Sequence, residues 1–225
     1  MSTSGLTVRS ALLCCALFGW VSAAEATAIP IANAGFENPV VGLLGPLTDW
    51  TLSGTSGSGV WNINAFPLGF WTVGAPEGNQ IAYVAGAPRT TGASISQILG
   101  DTLLDGQTYT LTGFVGQPIG FGSTPPPTTY TIALFADGVL LNSISGTGPE
   151  GTFVPFSLTF DSTGSALVGQ PIEIRLSSDQ AQTGFDDLRL NYAGGEASVP
   201  EPATLTLLAL GLSGLGVRFR RASKR

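Results

Sequence analysis

Between Ile29 and Val199 no stretch keeps an apolar 3.6-residue period over three turns, which excludes a helical body. Period-2 alternation takes its place, bounded by Gly, Pro and Asp. In Gln107–Val115, Tyr109, Leu111 and Val115 share a face against Thr108, Thr110 and Thr112. In Thr128–Ala136, Tyr130, Ile132 and Leu134 oppose Thr129 and Thr131, and Asp137-Gly138 then supplies a two-residue hairpin turn into Val139–Ser145. Val154, Phe156, Leu158 and Phe160 alternate next, where Pro155 implies an edge strand or a bulge. Ile172, Ile174 and Leu176 alternate against Glu173 and Arg175. Less regular strands are expected near 31–37, 47–53, 58–64, 79–85 and 93–99. Many short antiparallel strands with turn signals between them predict an all-β, two-sheet sandwich of jelly-roll type. It forms one domain over 29–195, with no internal repeat.

Charge narrows the function. Of nine basic residues only Arg89, Arg175 and Arg189 lie between Glu25 and Val199, against fourteen of the fifteen acids, a body charge of −11. Nucleic acid needs clustered Lys and Arg to displace phosphate counterions, so it is excluded as a partner. Anionic lipid would repel such a body. With no His anywhere, Ser-His-Asp, Cys-His and His-zinc chemistry are excluded too. The acid surplus otherwise serves solubility.

The two ends read as addresses. Residues 1–28 have the form of a signal peptide: Arg9, an apolar Ala11–Val21, then small residues, with cleavage after Ala24 or Ala28. Both cysteines, Cys14 and Cys15, fall inside it, so the mature chain has neither disulfide nor thiol nucleophile. At the other end, 196–225, Pro200-Glu201-Pro202 is followed by uncharged, apolar Ala203–Val217 and a basic tail from Arg218. As a helix that run spans about 22 Å, short of the roughly 30 Å hydrocarbon core. The basic tail would stay cytoplasmic and leave the body outside. The plain alternative is an ordinary tail anchor.

The order of motif, apolar run and basic tail resembles the PEP-CTERM sorting signal of Gram-negative bacteria. That resemblance implies an exosortase acting at Pro200-Glu201-Pro202 after transient insertion of the helix in the inner membrane. It also implies a destination at the cell surface or in an exopolysaccharide biofilm matrix. It carries destination only.

A second resemblance rests on Asn33-Ala34-Gly35-Phe36-Glu37, Asp49-Trp50 and Phe185-Asp186-Asp187-Leu188, which are similar to galactose-binding-like and carbohydrate-binding-module jelly rolls. It implies that Glu37 and Asp186 sit side by side and hold a structural Ca²⁺ with backbone oxygens; a metal-free, hydrogen-bonded corner is the alternative. Strand alternation places Asp186 with Leu188, Leu190 and Tyr192, and Asp187 with Arg189 and Asn191. An acid on the apolar face needs compensation from backbone N–H groups, Arg or a hard cation.

Sugar recognition commonly uses a flat aromatic face flanked by amides. Trp61, Trp71, Tyr83 and Gln80 form the carbohydrate-binding candidates, with a core role as the alternative for both tryptophans; Trp50 reads as core. The Gly/Ser-rich Leu52–Val60 and Pro/Gly-rich Gly116–Pro127 are binding loops or plain connections. Glu77-Gly78-Asn79-Gln80 reads as a turn. Glycosidases need two facing carboxylates, and Asp186-Asp187 point to opposite faces, so no catalytic residue is assigned. The sequence therefore predicts a secreted, non-catalytic matrix protein associating with polysaccharide. The alternatives are a structural surface protein contacting proteins or itself, and an undetected polysaccharide hydrolase or lyase.

Overall fold

The computed structural model describes residues 25–54, 57–65, 69–85, 92–120, 128–179 and 182–194. The leader through Ala24, the Pro200-Glu201-Pro202 motif, the apolar run after it and the basic tail lie outside the described residues. Among the described residues no helix is long and apolar enough to cross a membrane.

Twelve strands follow in chain order: β1 (Thr27–Ile29), β2 (Leu44–Gly45), β3 (Thr51–Ser53), β4 (Gly59–Asn62), β5 (Gln80–Ala85), β6 (Ala93–Thr102), β7 (Gln107–Gly116), β8 (Tyr130–Ala136), β9 (Val139–Gly146), β10 (Phe153–Asp161), β11 (Pro171–Ser178) and β12 (Gln182–Gly194). They form two antiparallel sheets. The seven-stranded sheet runs β10-β7-β12-β5-β4-β2, with β1 also paired to β12. The five-stranded sheet runs β3-β6-β11-β8-β9. Between them Tyr109, Leu111, Val115, Ile132, Leu134, Leu158, Ile172, Ile174, Leu176 and Phe185 form one core, all essentially inaccessible. These are the positions that strand alternation puts on one face.

Local chemistry sets several details. The β8–β9 hairpin turns on Asp137 and Gly138, both with positive φ (48° and 72°), the backbone a two-residue primed turn requires. β10 lies at a sheet edge, where the N–H missing at Pro155 costs no ladder bond on the open side. Trp50 is buried against Phe36, ring centroids 5.5 Å apart.

The segment expected as a strand near 31–37 is not one. Asn33 and Phe36 take positive φ (50° and 56°). The Phe36 N–H donates to the Asn33 carbonyl at 3.1 Å, and the Asn33 amide brackets the backbone of Asn38. An Asn that satisfies its own neighbours' backbone in this way competes with ladder pairing.

Candidate functional site

Glu37 and Asp186 meet at one short loop. One Glu37 oxygen accepts the N–H groups of Asn79 (2.8 Å) and Gln80 (2.7 Å). Asp186 accepts the Glu77 N–H through Oδ2 (2.9 Å) and the Asp187 N–H through Oδ1 (2.8 Å). The turn expected at Glu77–Gln80 is therefore pinned by two carboxylates from distant parts of the chain. Glycines make room: a Cβ on Gly78 would collide with the Glu37 carboxylate, and one on Gly35 with that of Glu77. Asp186 is wholly buried, and burial pushes its carboxyl up to about 8. The backbone bonds to Glu77 and Asp187 pull it down, and the charges of those two acids push it up again.

Asp186 does not share a face with Leu188, as simple alternation predicted. The register between β12 and β7 shifts between Asp186 and Arg189, and Asp187 takes φ 49°. This bulge inserts one residue and resets the alternation. Phe185, Leu188 and Leu190 all enter the core, while Asp186 follows Gly184 on the opposite side of the sheet. There a Cβ on Gly184 would meet Ile81, Trp71 and Phe153.

Whether Ca²⁺ suits this corner depends on the donors. They are hard carboxylate oxygens, each with lone pairs beyond those the N–H groups use. Glu77 and Asp187 add negative charge around Asp186, and Arg189 is engaged by Asp187. Among the described residues no three His, Cys, Asp or Glu side chains gather as a metal group. An ion here would take Glu37 and Asp186 plus backbone carbonyls. The donors are hard oxygens throughout, the chemistry a divalent cation of this kind takes.

The sugar-binding candidates are placed differently from a solvent-facing platform. Trp61, Trp71 and Tyr83 do come together, in a second apolar cluster with Ile63 and Ile81 on the far side of the seven-stranded sheet. Yet Trp61 and Trp71 are only 5% and 8% exposed. Trp71 stacks on Phe153 at 4.4 Å, and Trp61 meets Trp71 edge-on at 6.2 Å. Neither indole N–H has a partner. Tyr83 is half-buried, and desolvation raises its phenol above the usual value. Gln80 is not on this surface at all. It is fully buried, receiving the Val41 N–H and donating to the Phe36 and Pro39 carbonyls, so its amide has nothing left for a sugar.

The open faces lie elsewhere. On the outer side of the five-stranded sheet, pairing aligns Ser53, Ser94, Ser177, Thr131 and Ser145 in one row across every strand. A second row carries Thr51, Ser96, Arg175, Ala133 and Ser143. At about 4.8 Å per strand each row runs roughly 19 Å. Arg175 lies 4.1 Å over the Phe135 ring and pairs with Glu173 at 2.8 Å. A depression of about 290 Å³ lies over these residues, floored by Ser94, Thr131, Arg175 and Ser177. The outer side of the seven-stranded sheet has its own depression, about 450 Å³, between Phe114, Pro155, Ser157, Thr112 and Arg189. Arg189 forms a two-point pair with Asp187, at 3.1 and 3.0 Å.

The sequence of residues 27–191 matches the family model for HpiC1-like proteins, described as HpiC1 cyclase. The chain belongs to the HpiC1-like family. Residues 198–221 match the PEP-CTERM protein-sorting motif, the address of an exported, exosortase-sorted protein of the cell surface or extracellular space. Among solved structures, a Stig cyclase from Fischerella sp. TAU in complex with (3Z)-3-(1-methyl-2-pyrrolidinylidene)-3H-indole is 26% identical. Its TM-score is 0.67, over 76% of this chain and 100% of that one. A cyclase from Fischerella sp. TAU bound to 4-(1H-indol-3-yl)butan-2-one is 27% identical, with a TM-score of 0.66 over 76% and 100%. The CBM22-1 xylan-binding domain of Paenibacillus barcinonensis Xyn10C shares the fold at 15% identity and a TM-score of 0.50, over 77% and 97%. No curated protein matches the chain in sequence.

An HpiC1-like sandwich thus supplies two kinds of place for chemistry. One is the closed corner around Asp186 and the Trp61–Trp71 cluster, roofed by the loop through Trp71 and Glu77. The others are two open, hydroxyl-rich outer faces. The signal for those faces was present in the polar members of each alternating strand; what the sequence lacked was the register that aligns them.

Proposed function

We propose that this protein is exported, sorted to the surface of a Gram-negative cell and acts there without catalysis, by associating with extracellular polysaccharide. An exosortase-like enzyme would act at Pro200-Glu201-Pro202 while Ala203–Val217 rests briefly in the inner membrane. The observation that carries the binding reading is the pair of hydroxyl rows around Arg175 on the five-stranded sheet. Hydroxyls both donate and accept, as sugar hydroxyls do, and the Phe135 ring supports the Arg175 guanidinium among them, 4.1 Å from its centroid. Because Arg175 is already paired with Glu173, the face suits a neutral chain better than an anionic one. Glu37 and Asp186 would hold Ca²⁺ in a structural role, neutralising the corner that fixes the Glu77–Gln80 loop. The test is co-sedimentation of the processed protein with the producer's exopolysaccharide. Saturable binding whose capacity falls in Arg175→Ala/Phe135→Ala supports the reading; no binding by the wild type refutes it.

A second reading follows from the family. Cyclases share this fold at 26–27% identity with indole-bearing molecules bound, and Asp186 is a buried carboxyl pushed up to about 8. An acid of that kind keeps its proton at neutral pH and could protonate a substrate admitted beside Trp61 and Trp71. The two readings conflict at Asp186, because Ca²⁺ requires the carboxylate and acid catalysis the carboxyl. Turnover of an indole-bearing alkene, lost in Asp186→Asn, would favour the cyclase.

A further inference from the structure

The two outer faces repeat one arrangement. On the five-stranded sheet, Glu173 and Arg175 stand two apart on one strand and pair at 2.8 Å. On the seven-stranded sheet, Asp187 and Arg189 do the same at 3.0 Å. Each arginine ends or crosses a cross-strand row of hydroxyls: Thr51–Ser96–Arg175 on one side and Ser157–Thr112–Arg189 on the other. Each has a half-buried phenylalanine on a neighbouring strand, Phe135 and Phe114 respectively, and each arginine lines a depression. In the second copy Asp187 sits at the bulge with φ 49°, and its carboxylate takes the Arg189 guanidinium at 3.1 and 3.0 Å.

Stacked sheets lie about 10 Å apart, so the two depressions open in opposite directions with the whole core between them. A straight polymer segment that fills one cannot fill the other. Both arginines are neutralised by a carboxylate on their own face. The described body carries many more acids than bases, so an anionic chain would be repelled at low salt. Charge therefore selects a neutral glycan on both sides.

We infer that the protein is bivalent: it holds a separate neutral polysaccharide chain on each outer face and cross-links them. The inference rests on the polysaccharide reading above and adds a second site and a mechanical consequence. Joining two modest sites on one rigid body gives avidity on a dense polymer without any new contact.

The experiment uses the processed, exported protein and the producer's own exopolysaccharide. Sedimentation gives stoichiometry and light scattering gives cross-linking, with polymer-free scattering recording the protein's own mass. The wild type should raise scattering to a maximum and then lose it at excess protein, as every chain becomes singly decorated. Arg175→Ala/Phe135→Ala and Arg189→Ala/Phe114→Ala should each keep saturable binding at half the wild-type stoichiometry and cause no cross-linking. The combined variant should bind nothing, while keeping the wild-type near-UV circular dichroism. Full cross-linking by Arg189→Ala/Phe114→Ala would overturn the second site. So would wild-type binding without cross-linking, or cross-linking that tracks a protein dimer; each leaves the polysaccharide reading intact. An absence of wild-type binding would instead remove that reading and the bivalency together.

Discussion

Glu37→Ala removes one carboxylate oxygen that accepts two backbone N–H groups, from Asn79 at 2.8 Å and Gln80 at 2.7 Å. A hydrogen bond to a charged group contributes about 1.5–3 kcal/mol. The Asn79 bond is exposed and water can replace it, so it falls at the bottom of that range; the Gln80 bond is partly buried and does not. The disturbance also travels, because the Gln80 side chain ties down Phe36, Pro39 and Val41. A loss of about 2–4 kcal/mol follows. At about 2–4 °C per kcal/mol for a domain of this size, the melting temperature should drop by roughly 4–16 °C. Glu37→Gln keeps a neutral acceptor oxygen and should lose about half as much. Urea denaturation of both variants measures it, repeated with Ca²⁺ and with chelator. An ion bound only by the folded state adds stability by mass action, so chelation should destabilise the wild type and leave Glu37→Ala unchanged. A Glu37→Ala variant as stable as wild type would refute the pinning argument; identical wild-type melts with and without chelator would refute the calcium.

Other consequences are as concrete. In chelator, the Asp186 carboxyl stands at about 8 in the folded protein against an ordinary 3.8. The folded state therefore holds its proton more tightly, and stability must fall as pH rises from about 4 to about 8. The limit is about 6 kcal/mol, at 1.36 kcal/mol per pH unit. Asp186→Asn should flatten that slope in pH-dependent urea unfolding, and an unchanged slope would assign it elsewhere. Gly113→Ala would put a methyl 2.8 Å from Leu188 and 2.9 Å from Phe156; overpacking of this kind should cost about 1–3 kcal/mol by the same assay. Gln97 is buried, takes the Ala32 N–H and donates to the Ala32 and Asp49 carbonyls. Gln97→Leu should therefore cost about 2–4 kcal/mol and speed amide exchange at Ala32; exchange at the wild-type rate would count against this tether.

What could be read from the sequence was whatever depends on one strand at a time. Tyr109, Leu111 and Val115 alternate because each strand buries one face, and they are core. Asp137-Gly138 turns because those two residues accept positive φ. Failures came where a residue's direction depends on a neighbour. Asp186 was put on the core face because a bulge cannot be counted from one strand, and only the register with β7 exposes it. Residues 31–37 have strand-like composition, yet Asn33 satisfies its own backbone and stops the ladder. For Trp61 and Trp71 the choice between sugar face and core also depends on a neighbour, the loop through Trp71, which folds over them and stacks Trp71 on Phe153.

The outer faces carry that lesson into function. A serine at 94 or 177 is unremarkable on an exposed strand position, and only pairing makes Ser53, Ser94, Ser177, Thr131 and Ser145 a continuous line. The arginines sharpen the argument. Arg175 and Arg189 are the only basic side chains among the described residues, and each is held by an acid two positions earlier and lines a depression. Arginines meant to bind phosphate or carboxylate polymers would gain from being unpaired. Arginines neutralised on their own face give up that attraction and keep their directional N–H groups, which is what recognition of uncharged hydroxyls requires. The charge pattern, more than the aromatic content, therefore separates a neutral glycan from the anionic alternatives.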